Sequence, residues 1–119
     1  MHHIIIFFNL RAAKPTNKME EEVMAWDELT IQKVWEKGKI VEGYDPSKWR
    51  KDECGAWIGR QYYGDRKSQY GWEIDHISPG GPDVLSNLRP LQWENNVDKS
   101  SGRLKCNVTA SGTQNTRKV

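Results

Sequence analysis

The stretch Trp72-Glu73-Ile74-Asp75-His76-Ile77 holds the one histidine that lies beyond His2 and His3, set directly after an aspartate. Ser78-Pro79-Gly80-Gly81-Pro82-Asp83 follows, then Asn87 and the pair Asn95-Asn96. An aspartate offers a hard carboxylate oxygen and an asparagine a side-chain carbonyl oxygen, a donor set that suits Mg²⁺ better than zinc. A neutral imidazole, with a reference pKa of about 6.5, can take a proton from water near neutral pH. Beside a metal that offsets charge on a phosphate and its leaving oxygen, the combination suits phosphodiester hydrolysis. An Asp-His pair is common, so the elements that position it carry the argument.

Alternation from Trp72 to Ile77 predicts a strand with Trp72, Ile74 and His76 on one face and Glu73, Asp75 and Ile77 on the other. The prolines and glycines of residues 78–82 break it with a tight, irregular loop. Asn87-Leu88-Arg89-Pro90-Leu91 predicts a second short strand, confined to an edge by Pro90. Gln92 to Lys99 predicts a helix that ends before Ser100-Ser101-Gly102. Strand, loop, strand and helix together can gather Asp75, His76 and Asn95-Asn96 around one point.

WEIDHI, the glycine-containing loop, NLRPLQWENN and Lys99 closely resemble the HNH endonucleases. The resemblance is dense over residues 71–99. It extends upstream through VWEKGKIVEGYDPSKWRKDECGAWI, which is similar to the region preceding the motif in small stand-alone bacterial HNH proteins. It implies an α+β domain whose ββα-metal (His-Me finger) core covers about residues 71–100, after an N-terminal helical segment. It also implies a metal-dependent endonuclease acting on DNA, with Mg²⁺ or Mn²⁺ as cofactor. His76 would be the general base, Asp75 a metal ligand, and Asn87 the asparagine that holds the base and its loop. Asn96 matches the last motif position, where the family has histidine or asparagine, so the chain is similar to the H-N-N variants; Asn95 is the alternative if the register shifts by one. Arg89 and Lys99 are expected at the phosphate. The loop from His76 to Asn87 is shorter than in many relatives. The flanking cysteine pairs of the family are absent, so no structural zinc is expected and Trp57, Trp72 and Trp93 are expected to brace the fold by packing.

The rest of the chain sets the context. At 119 residues it fits one domain with a modest core, and a mean hydropathy of −0.84 makes that core dependent on rings, six of them tryptophan. Net charge is only +2, so the distribution of charge, not the total, must argue for a nucleic-acid partner. Residues 1–18 read as a leader and 19–100 as the nuclease domain. Residues 101–119 read as a basic polar tail too hydrophilic to order. Met19, Val23 and Trp26, then Ile31, Val34 and Trp35, repeat at helical spacing toward Gly38, as one long helix or as two with Asp27 starting the second. Asp45-Pro46 predicts a short helix to about Arg50, Ala56-Trp57-Ile58 a strand, and Gly64-Asp65 a turn.

Cations and rings alternate between Lys48 and Tyr70. Within that run Arg60, Arg66 and Lys67 are candidate phosphate contacts, with rings able to pack on sugar or base. Cys54 and Cys106 form no metal-binding pair and are expected as free thiols rather than a disulfide. IIIFF near the start is too short to span a membrane and no secretory signal is evident, so a cytoplasmic protein without a membrane partner is expected. DNA is the expected partner, and double-strand cleavage would require a homodimer. Two competing readings are a non-cleaving nucleic-acid-binding module and a structural or adaptor domain.

Overall fold

Helix α1 (Glu28–Trp35) starts where the Asp27 side chain accepts a hydrogen bond from the Thr30 amide at 2.7 Å. The computed structural model describes residues 26–118; the leader and the apolar positions Met19 and Val23 lie outside the described residues. Of the two helical alternatives, the start at Asp27 is the one seen. Ile31, Val34 and Trp35 face inward, and with Ile58, Trp72 and Leu88 they form the hydrophobic core. The Trp35 and Trp72 rings meet at 5.3 Å, so much of the core is aromatic.

Among the described residues, two α-helices and three two-stranded antiparallel sheets make an α+β domain. The first sheet pairs β1 (Trp49–Lys51) with β2 (Trp57–Gly59). The expected helix from Asp45 to Arg50 is replaced by a single turn: Lys48 and Trp49 both donate to the Asp45 carbonyl, and β1 begins at once. The second sheet pairs β3 (Trp72–His76) with β4 (Leu88–Gln92), and α2 (Trp93–Lys99) follows directly. Gln92 caps α2, its side-chain oxygen accepting from the Glu94 and Asn95 amides at 2.9 and 3.2 Å.

The third sheet corrects the sequence reading of the tail. Residues expected to be disordered form a hairpin of β5 (Val108–Ser111) and β6 (Gln114–Arg117). Its order comes from distant partners. Asn95 donates to the Val108 carbonyl at 2.9 Å and accepts from the Val108 amide at 2.8 Å. Asn115 brackets the backbone of Trp57, at 2.7 and 3.0 Å. The free-thiol expectation is also overturned: Cys54 and Cys106 form a disulfide, their Cα atoms 5.1 Å apart across a sequence separation of 52. The fold brings the turn after β1 against the segment leading into β5, a proximity no local pattern announces.

Asp52 ties these parts together. One carboxylate oxygen accepts from the amides of Cys54 and Ala56; the other accepts from the Gln92 amide and the Asn95 side chain. Burial raises its pKa from the ordinary value, and the hydrogen bonds oppose that rise. The start of α2 is thereby fixed to the first hairpin. No helix among the described residues is long and apolar enough to cross a membrane.

Candidate active site around Asp75 and His76

The register of β3 and β4 sets Asp75 opposite Arg89 and His76 opposite Leu88. Alternation along β3 then divides the candidate residues. Glu73 and Asp75 turn toward α2, where they meet Asn96 and Lys99. Trp72, Ile74 and His76 turn toward α1, with Trp72 on Trp35 and the His76 ring 5.9 Å from that of Trp26.

On the α2 side every carboxylate has cationic company, because a buried charge without a partner is costly. Asp75 accepts from Arg89 Nε at 2.8 Å and lies 3.2 Å from Lys99 Nζ. Asp75 and Lys99 are only 7% and 4% exposed. Arg89 also reaches Glu53 at 3.2 Å. One register step away, Glu73 receives Arg66 through two nitrogens at 2.6 and 3.0 Å and the Asn96 amide at 2.9 Å. A groove of about 610 Å³ opens beside this network, bordered by Pro79 of the glycine loop and by Arg89, Lys99 and Arg103. Its cationic lining suits an anionic chain.

His76 stands at the other side, half-buried at the end of β3. Its Nε2 lies 2.5 Å from an Asp83 carboxylate oxygen. A carboxylate oxygen beside Nε2 favours the tautomer with its hydrogen on Nε2, which leaves Nδ1 as the acceptor whenever the ring is neutral. Asn87 closes the intervening loop: its side chain accepts from the Ser78 amide at 2.9 Å and donates to the Pro82 carbonyl at 3.0 Å. A side chain at Gly81 would meet the Asn87 amide at 2.8 Å, so glycine is what lets the loop close on that asparagine.

The sequence-predicted residues thus separate into groups. Asp75, Arg89 and Lys99 are brought together; Asn96 sits one turn of α2 away on Glu73; His76 and Asn87 belong to the loop. Asn95, the alternative to Asn96, is fully buried and engaged at both ends of its amide, which removes it as a ligand candidate. Arg60 is held by Gln32 and Glu28 at 2.9 and 3.2 Å, and Arg66 by Glu73; Lys67 is exposed. Sequence reasoning missed Asp83 and Arg103. The only signal for Asp83 was an acid in a loop rich in turn formers, and Arg103 fell in a tail read as disordered. Comparison of the chain with known protein families, with characterised proteins and with solved structures finds no match.

Proposed function

We propose that this protein is a metal-dependent endonuclease of the HNH type, with β3, the glycine loop, β4 and α2 as a ββα-metal core. The observation that supports this reading best is the pairing of His76 with Asp83 over a loop held by Asn87, directly after Asp75 in the chain. Asp83 holds the imidazole in one tautomer, and Nδ1 can then accept a proton from water. The hydroxyl oxygen formed attacks phosphorus, and the bond to the 3′ oxygen breaks. Arg89, Lys99 and Arg103 border a groove on the α2 side of β3 that His76 does not line; it would take phosphates flanking the scissile one.

Among the described residues no group of three or more His, Cys, Asp or Glu side chains could hold a metal. A divalent ion of this class nevertheless needs little from the protein. Mg²⁺ commonly takes one or two carboxylates and completes its shell with water and substrate phosphate. Asp75 and the amide oxygen of Asn96 are hard donors of that kind, and a carboxylate with about four lone-pair sites keeps acceptor capacity beside Arg89 and Lys99. These two residues would hold Mg²⁺ or Mn²⁺. When bound, the ion supplies charge neutralisation at the phosphate and the leaving oxygen.

Supercoiled plasmid incubated with the protein should be nicked in Mg²⁺ or Mn²⁺ and left intact in EDTA. Asp83→Asn should slow nicking and alter its pH profile without changing the need for a divalent ion. The double pairing of Asp75 favours one second reading, a non-cleaving DNA-binding module. A protein that retards DNA on a gel yet cuts under no divalent ion would establish that reading instead.

A further inference from the structure

The first and third sheets enclose a groove that the nuclease reading does not use. It measures about 400 Å³, within the range of about 300–1,000 Å³ usual for small-ligand sites, and five rings line it: Tyr44, Trp49, Trp57, Tyr62 and Tyr70. The β5–β6 turn closes one side and holds two of the rings by their polar ends. Trp57 Nε1 donates to the Gly112 carbonyl at 2.7 Å, and the Tyr70 hydroxyl donates to the Thr113 carbonyl at 2.8 Å. Trp49 meets Tyr70 edge-on at 5.0 Å, and Tyr44 lies 4.8 Å from Trp57. Trp57 and Tyr70 are therefore held in place; Trp57 is buried, while Tyr44 at the rim is 41% exposed.

Charge decides what such a groove would take. Trp49 and Tyr62 form a ridge between it and a second hollow of about 420 Å³, bordered by Ser47, Lys48, Arg60 and Gln61. Arg50 and Arg60 are engaged within the fold, donating to backbone carbonyls and to Gln32 and Glu28 respectively. Lys48 and Lys51 make no ion pair among the described residues, and the Lys51 ammonium rests 4.7 Å over the Trp57 ring. Asp45, the nearest acid in sequence to Lys48, spends its hydrogen bonds on Ser47 and attracts the Lys48 ammonium only through space, without a direct ion pair. Rings on one side of a ridge and unpaired ammonium groups beside them match a strand whose bases are free to stack and whose phosphates run alongside. A cationic or purely apolar ligand would gain nothing from the lysines.

We propose that this groove binds an unpaired nucleic-acid strand, stacking a base against Tyr62 and Trp49 with Lys48 at the phosphates. It lies beside the start of β3, whose length of about 13 Å separates that end from His76. The strand would thus be gripped away from the point of cleavage. The inference deepens the nuclease reading by naming a second contact, and its chemistry is independent of His76.

The test is fluorescence anisotropy of a labelled single-stranded oligonucleotide of about 12 nucleotides, titrated in EDTA. The parent, His76→Ala and Tyr62→Phe should bind alike, because each retains the ring. Tyr62→Leu should weaken binding about tenfold or more, and Lys48→Glu should weaken it and flatten its salt dependence. A duplex of the same sequence should compete poorly. If Tyr62→Leu does not fold, Tyr44→Ser at the rim should give the same direction of loss. Parent-like binding by the ring-loss variant that folds would overturn the proposal. So would equal competition by duplex, or capture of a proline-rich peptide in place of the oligonucleotide. A parent that nicks plasmid but does not bind the single strand removes the groove and leaves the nuclease reading standing; one that binds but never nicks does the reverse.

Discussion

Adjacent residues of β3 live in opposite environments. Asp75 is buried and held between Arg89 and Lys99, while His76 sits half-buried at the strand end with a well-exposed Asp83 as partner. A carboxylate between two cations is fixed in position by α2 and β4 together. An imidazole at the rim keeps access to solvent and to a substrate. The same strand therefore carries a proposed metal ligand whose ion pairs also stabilise the fold and, next to it, a proposed base that contributes little to stability.

Substitution separates the two roles. Asp75→Ala leaves Lys99 buried without its acid and should cost about 3–5 kcal/mol in urea unfolding. Replacing Cys54 and Cys106 with serine releases the tail from the first hairpin and should cost about 2–4 kcal/mol, measured by the same unfolding curves. A smaller effect is expected at Asp98, whose pKa is lowered mainly by the Asn107 hydrogen bond, with Arg117 adding to it. A lowered folded value stabilises above the unfolded one and is lost as pH falls through it. The stability gap between the parent and Asp98→Asn, about 1 kcal/mol or less, should thus be present above pH 3.8 and shrink below it. His76→Ala should change unfolding by only about 0.5 kcal/mol. A large loss there, or a negligible one at Asp75, would reverse the assignment of roles.

What the sequence disclosed follows the range of the interactions. β3, the loop, β4 and α2 were legible because alternation, the Pro-Gly breaks and a helical run act between near neighbours. Asn87 was legible as the residue holding the loop, since an asparagine at a loop end bonds local backbone. The tail was not, because Ser, Thr and Asn carry no apolar signal and its order rests on Asn95, Asn115 and a disulfide far along the chain. Asp83 was hidden for a related reason: after Pro82 it reads as a turn former, and only the folded loop aims it at the imidazole. The cation-rich run from Lys48 to Lys67 overstated the free positive surface, since Arg50, Arg60 and Arg66 are all drawn into internal pairs.

The most direct test of the central claim is the initial rate of nicking of supercoiled plasmid in Mg²⁺ by the parent and by His76→Ala, with thermal unfolding of both. The account predicts at least about a hundredfold loss of rate in the variant with an unfolding midpoint within about 4 °C of the parent. An equal rate in the two proteins would contradict it.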